Sequence, residues 1–388
     1  MKDGAIRIAH IVGKMNSGGV ESFIMNYYRN IDKKKIQFDF IVDMDSNVPQ
    51  YDEIIKLGGN IIKISPYENL FKYIKDLKRV FKDNNYIIVH SHLNALSVIP
   101  LSVAFFSRIP IRIAHSHSTT NKKEWKKNLL KNLLKPFSKV FATDYYACTN
   151  HSAEWLFGKK FLEDKKVTII NNAIDVNKFK YDFNKRIRVR NELSINDCYV
   201  LGNVGRFVQQ KNHEYLIDLF EKLYKQDDRY RLMLIGEGPL EVEIKNKLKK
   251  KQIDRGVLFI GTTDKVEEYM CAMDLFVFPS LYEGLGMVVV EAQACGLPCI
   301  VSKNVPEDVN ITRNVEFLEL KDIEDWTETI NIYRNKNIDR SVDINDFVKK
   351  HYSINENSNT LECNYINLLR SINIRGEYEK GRSNNNTL

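Results

Sequence analysis

Short apolar, β-branched runs alternate along this chain with longer amphipathic stretches, and the alternation restarts once near its middle. Runs that are apolar on both faces suit strands of a parallel sheet covered on both sides. Strands alternating with helical stretches predict an α/β chain. The first half has strand candidates at 6–12, 38–43, 61–64, 87–90, 112–115, 145–149 and 167–170, with amphipathic runs such as 21–30 and 70–84 between them. The second half restarts at 199–204 and continues at 231–235, 257–260, 275–279 and 299–301. Between them, from about Asn171 to Asn196, the chain is polar, charged and without clear periodicity, as expected of a domain boundary. Two domains are also what 388 residues suggest at roughly 100–200 residues each. The expected division is 1–175 and 176–356, with a helix at about 357–371 packing back on the first domain. The polar tail, 375–388, is expected to be disordered.

Composition matters for what it excludes. The longest apolar runs, such as 275–279 and 287–290, fall far short of the roughly 20 residues that span a bilayer. Residues 1–12 lack the apolar core of a secretory signal, so the expected location is cytoplasmic. The six cysteines are scattered, mostly among apolar neighbours, and read as small buried thiols. Cys295 and Cys299 form a close pair with no second pair of ligands, so no metal site is expected. Charge is uneven: residues 1–180 carry a net +12 and the remainder −4. An anionic membrane surface, a phosphorylated substrate or nucleic acid would each account for a basic half. Nucleic acid is disfavoured, because the lysines lack a recognition motif or interleaved aromatic platform.

Five segments could carry chemistry. Gly18-Gly19-Val20-Glu21 follows the first strand and opens a helix; it is either a plain turn or a place where free N–H groups meet an anion. Arg112 to Ser118 is a strand ending in His115-Ser116-His117, at the end where open α/β sheets bind ligands. Taken singly, His90, His92, His115, His151 and His213 read as structural. Gly205-Arg206-Phe207, followed by Lys211, places two cations near a strand end, suited to a pyrophosphate. Gly236-Glu237-Gly238-Pro239 is a tight turn, or a turn that lets backbone approach a flat base. The fullest segment runs from Pro279 to Ala292. A strand ends, the turn Gly284-Leu285-Gly286 follows, and a helix begins near Met287, with Glu283 before it and Glu291 about one turn inside. Free amides at a helix start suit an anion, and two carboxylates suit hydroxyl-rich ligands.

In order and spacing over most of the chain, these segments resemble the family 4 retaining glycosyltransferases, above all their polysaccharide-biosynthesis members. The Glu-x7-Glu pair is Glu283 and Glu291. It is supported by the Gly18-Gly19 loop, the strand ending in His117, Asn171-Asn172-Ala173-Ile174-Asp175, the Arg206/Lys211 pair and the Gly236–Pro239 turn. One departure is Asn172-Ala173, where the family usually has Asn-Gly. The resemblance implies the GT-B fold, two Rossmann-like domains facing across a cleft. It implies that Glu291 holds the ribose, while Glu283 and the amides of Gly284, Leu285, Gly286 and Met287 hold the donor sugar. Arg206 and Lys211 would neutralise the diphosphate, and His117 would touch the transferred sugar. Gly18, Gly19, Gly205, Gly236, Glu237 and Gly238 would line the donor site. No cofactor and no metal are implied beyond a nucleotide-sugar donor, expected to be a UDP-sugar.

The expected activity is transfer of a hexose or N-acetylhexosamine to a glycan or lipid-linked acceptor in cell-surface polysaccharide synthesis. Alternatives are a soluble transferase acting on a small molecule or protein side chain, and an epimerase of the same fold. Residues from Lys122 to Lys139 hold seven lysines and one glutamate, with Trp125, Leu129, Leu133 and Phe137 four residues apart. This stripe would suit peripheral contact with an anionic membrane on the cell's inner face, or a helix packed on its own domain with a solvated basic face.

Overall fold

In the computed structural model, residues 4–16, 18–117 and 131–385 are described, 373–385 by backbone alone. The chain divides into two compact units: Met1–Ala173 together with Ile354–Leu388, and Ile174–Ser353. Each holds one parallel sheet with helices on both faces, so both are Rossmann-like.

The first unit contains β1 (Ile6–Gly13), β2 (Ile36–Asp43), β3 (Asn60–Ile64), β4 (Ile88–Ser91), β5 (Ile111–Ser116), β6 (Asp144–Ala147) and β7 (Val167–Ile169). Their order across the sheet is β3-β2-β1-β4-β5-β6-β7. Strand order reverses between β1 and β4, which pair in parallel with His10 opposite His90. One face is covered by a core that includes Phe23, Tyr27, Phe38, Phe40, Leu361 and Tyr365. The other is covered by a core that includes Tyr73, Leu77, Leu101 and Phe157.

The second unit contains β8 (Tyr199–Val204), β9 (Tyr230–Ile235), β10 (Val257–Gly261), β11 (Leu275–Phe278), β12 (Cys299–Ser302) and β13 (Val315–Leu318). Their order is β10-β9-β8-β11-β12-β13, reversing between β8 and β11. β13 is absent from the sequence expectation. It is a four-residue edge strand, largely unburied, whose Val-Glu-Phe-Leu reads as neither a buried run nor a long alternation. The boundary stretch also holds more structure than its polarity suggests. Helices Val176–Phe179 and Phe183–Glu192 are capped by Asp175 and Asp182, whose carboxylates accept from free backbone amides. The last helix, Ile354–Asn385, starts before the expected 357 and continues through most of the tail expected to be disordered. Extending a helix that packing has already nucleated fixes one residue per added hydrogen bond, and Glu, Lys and Arg there tolerate it. Among the described residues, no helix is long and apolar enough to cross a membrane.

Candidate active site

In the second unit, ligand-binding geometry is expected at the carboxyl ends of β8 and β11, where the strand order reverses. The loops leaving those two strands are tied together. Lys211 Nζ lies 2.7 Å from Glu283 Oε1, and Gln210 Nε2 donates to Glu283 Oε2 at 3.2 Å, so both carboxylate oxygens are engaged. The pair is mostly buried, at 16% and 8% side-chain exposure. Lys211 also stands 4.6 Å from the centre of the Phe278 ring. Backbone completes the join: Leu281 N donates to Gln210 O at 2.8 Å, and Asn212 Nδ2 to Pro279 O at 3.1 Å. Arg206, on the same loop, is exposed. The two cations therefore differ in setting: Lys211 is ion-paired and Arg206 faces solvent.

Gly286 caps the helix Met287–Ala294 in the left-handed region, at φ +88°. A side chain there would be strained, so glycine is what lets the loop turn into the helix with its first amides free. A Cβ on Gly284 would meet nothing within 4 Å, which leaves open space beside those amides. Within the helix, burial pushes the Glu291 carboxyl up to about 7. Lys178 draws it back and Glu267 raises it further.

The glycines of the Gly236–Pro239 turn have a different office. Gly236 sits at φ +131°, and a Cβ there would lie 2.2 Å from Gly205 O; one on Gly238 would lie 2.5 Å from Phe207 O. The two loops pack backbone on backbone, with Gly205 N donating to Ile235 O and Phe207 N to Glu237 O, both at 2.9 Å. These glycines shape the loops that form the site, and the Glu237 side chain is exposed beside them.

In the first unit, Gly18 precedes the helix Gly19–Asn30, and the space at Gly19 is open. His117 follows β5, its backbone N–H bound by Asn94 Oδ1 at 2.7 Å. Its side chain is not alone. His10, His90, His92, His115, His117 and Cys148 form one hydrogen-bonded cluster with Tyr365 of the last helix. Burial lowers all five histidines, His10 and His117 to about 3 and the others well below their ordinary range. Two triads, His10/His90/His92 and His92/His115/His117, have ring nitrogens within 4.8 Å of one another, a spacing a transition metal could use. All of these nitrogens but His10 Nε2 instead lie at hydrogen-bond distance from another ring, the Cys148 thiol or the Tyr365 hydroxyl. Read one at a time in the sequence, these histidines give no hint of a cluster. The period-two repeat in His90-Ser91-His92 and His115-Ser116-His117 is the available signal, since i and i+2 share a sheet face. Sequence reasoning also misses Asp43, at the end of β2, whose carboxyl is pushed up to about 6 by burial and by Glu68 and Asp45.

Most of the lysine-rich stripe, including Lys122, Trp125 and Leu129, lies outside the described residues. Of the remainder, Leu133 and Phe137 are exposed. Lys135 and Lys139 stand over the Trp155 and Phe161 rings at 5.2 and 4.9 Å.

Residues 17–178 match the family model "Glycosyltransferase Family 4", and 185–346 match "Glycosyl transferases group 1". A Bacillus subtilis protein named as glycosyltransferase EpsF is 34% identical over 338 residues, covering 85% of this chain and 88% of that protein. The Escherichia coli UDP-Gal:alpha-D-GlcNAc-diphosphoundecaprenol alpha-1,3-galactosyltransferase is 24% identical, covering 84% and 87%. In fold, the chain is similar to the GT-B structure of Anabaena HepE in complex with UDP and glucose. The TM-score is 0.70 at 16% identity, over 96% of this chain and all of that one.

Proposed function

The chain belongs to the family 4 glycosyltransferases, and from that premise we propose that it transfers a hexose or N-acetylhexosamine from a UDP-sugar, with retention, to a glycan or lipid-linked acceptor in cell-surface polysaccharide synthesis. The observation that carries the donor half is the Lys211–Glu283 pair joining the two loops at the strand-order reversal, beside the open space at Gly284 and the free amides of the Met287 helix.

In this reading Glu291 accepts from the ribose hydroxyls. Glu283 and the amides of Gly284, Leu285, Gly286 and Met287 hold the sugar. Arg206 and Lys211 meet the diphosphate charge that grows as the sugar–phosphate bond breaks, in place of a metal ion. Donors fixed on a developing anion are worth roughly 3–4 kcal/mol each. Both oxygens of Glu283 are engaged by Lys211 and Gln210, which supports a holding role over that of a nucleophile. Retention then follows from attack on the face the phosphate leaves, with that phosphate taking the acceptor proton. For His117 and the Gly18-Gly19 helix start, the roles that the family resemblance implies, contact with the transferred sugar and lining of the donor site, are carried into this reading. The E. coli relative's acceptor is a sugar on diphosphoundecaprenol, which supports a lipid-linked acceptor here. Exposed Leu133 and Phe137 among lysines support reversible contact with an anionic membrane.

The test is calorimetric titration with UDP, GDP, ADP and a panel of UDP-sugars, without added metal, using Glu291→Ala as control. Binding of UDP and one UDP-sugar, lost in the variant, is expected. Preference for GDP or ADP would overturn the donor, and no nucleotide binding at all would overturn the catalytic reading. Salt-sensitive flotation with anionic liposomes is expected for the membrane contact; its absence would remove that part alone.

A further inference from the structure

Six side chains of the first unit's sheet, five buried and His117 partly so, drawn from β1, β4, β5 and the segments following β4, β5 and β6, link into one unbranched chain that ends on the last helix. Tyr365 Oη lies 2.7 Å from His90 Nδ1, and His90 Nε2 lies 2.9 Å from His115 Nδ1. His115 Nε2 lies 3.5 Å from Cys148 Sγ, which lies 3.1 Å from His117 Nδ1. His117 Nε2 lies 2.8 Å from His92 Nδ1, and His92 Nε2 lies 2.9 Å from His10 Nδ1. At every link beyond Tyr365, one ring's Nε2 or the thiol faces the next group's Nδ1 or sulfur. A neutral imidazole carries one proton and offers one lone pair. The protons must therefore all point the same way along the chain, or two donors or two lone pairs would meet; the one alternative, the Cys148 sulfur accepting from both His115 and His117, leaves its S–H and His10 Nε2 both without a partner among the described residues.

We propose that the Tyr365 hydroxyl sets the direction of this chain and so fixes His117 as its Nε2–H tautomer, with Nδ1 accepting from the Cys148 thiol. The catalytic consequence rests on the role proposed above for His117; the tautomer does not.

The direction follows from counting partners. If the protons run from Tyr365 to His10, Tyr365 donates to His90, every inner ring donates through Nε2, and only His10 Nε2–H is without a partner among the described residues. If they run the other way, His10 Nε2 is still without a partner, and the Tyr365 hydroxyl accepts from His90 while its own proton has no acceptor among the described residues. Tyr365 is fully buried, so that second unmatched group is costly. The first order is favoured, and it makes all five rings Nε2–H. Burial supports the premise of neutrality: it lowers each histidine and raises the Cys148 thiol, keeping it an S–H donor. Both ring nitrogens of His117 are engaged, so a sugar hydroxyl meets it only by displacing His92, as acceptor from Nε2–H, or Cys148, as donor to Nδ1. Tyr365 is thus a positioning residue that decides which nitrogen donates.

Long-range 1H–15N spectra of the full-length protein, labelled with 15N-histidine and with each ring assigned through its own His→Gln variant, read the tautomers directly. At pH 7, neutral Nε2–H is expected at His10, His90, His92, His115 and His117. In Tyr365→Phe, which keeps the ring and loses the hydroxyl, both directions leave equal numbers of unmatched groups, so mixed tautomers are expected. UDP release from UDP-glucose, UDP-galactose and UDP-N-acetylglucosamine should fall at least fivefold in kcat, with the donor KM within twofold. Nδ1–H rings or imidazolium in the wild type, an unchanged pattern in Tyr365→Phe, or capture of one equivalent of zinc by these rings would each overturn the chain. A tautomer change with kcat unaltered would uphold the chain and overturn the role of His117.

Discussion

Glu291, proposed above to hold the ribose, sits where its burial opposes stability. Its carboxyl has an ordinary value of 4.5, and folding raises it to about 7. Folding therefore favours the protonated form. The stability this contributes is fully present below about pH 4.5 and is lost as pH rises through 7. Glu291→Gln should raise Tm by a few degrees at pH 8 and leave it unchanged at pH 4.5. The same variant should bind UDP weakly, without the gain in affinity that the wild type shows as Glu291 ionises between pH 6 and 8. Tm and calorimetry at paired pH values check both, and a Tm that falls at pH 8 would contradict the assignment. Lys211 has the opposite character. Lys211→Met leaves Glu283 buried and unpaired, which should cost about 3 kcal/mol of stability and about 100-fold in turnover. Adding Glu283→Gln should restore most of the stability and none of the turnover. Denaturant melts and UDP-release rates on the three proteins separate packing from chemistry; recovered turnover in the double variant would place Lys211 outside the reaction.

Among the elements, the glycine turns divide into those that shape the loops and those that leave room for a ligand. A Cβ on Gly236 would lie 2.2 Å from a backbone oxygen that cannot move aside, whereas one on Gly284 enters open space. Gly236→Ala should therefore cost about 3 kcal/mol, and Gly284→Ala should leave the melting temperature within a degree while weakening UDP-sugar binding. Equal melting temperatures for the two variants would count against this division. The sequence alone could not draw that line, since both turns read as glycine beside a strand end. What separates them is which backbone lies opposite, and β8 and β9 must pair before Gly205 faces Gly236. Twelve of the thirteen strands among the described residues were legible because a buried parallel strand writes itself as an unbroken apolar run. β13 escaped because an edge strand need not. The two Asp-capped helices after Ala173 escaped because their stability comes from caps and tertiary contacts more than from apolar periodicity. Glu283, Lys211 and Glu291 were legible as a spacing; that Lys211 pairs with Glu283, 72 residues away, was not. The histidine chain lies further out of reach, since His90 and Tyr365 are 275 residues apart.

At the scale of the whole molecule, the two units should respond differently to acid. The first is closed by the last helix, which returns after the entire second unit and contributes Leu361 and Tyr365 to the core that also holds Phe23 and Phe38. That core borders five histidines kept neutral by burial, with His10 and His117 lowered to about 3 and the other three well below 6.5. An unfolded chain takes up protons at all five near pH 6.5, so their contribution to stability is whole above that value and lost as pH falls toward 3. Asp43, raised to about 6, works against this in the first unit, but over a single proton. The second unit holds one such histidine, His213, lowered to about 4, and its Glu291 favours folding as pH falls. Acid should therefore open the first unit before the second. Hydrogen exchange followed by mass spectrometry from pH 7 to pH 4, corrected for the intrinsic exchange rate, should show β1, β4 and β5 losing protection while β8 and β11 retain it. The last helix should lose protection together with β1, because Ile354, Leu361 and Tyr365 belong to the same core as Ile8 and Val12 of β1. Loss from β8 and β11 first would mean that the neutral histidines are not what limits the acid stability of this chain.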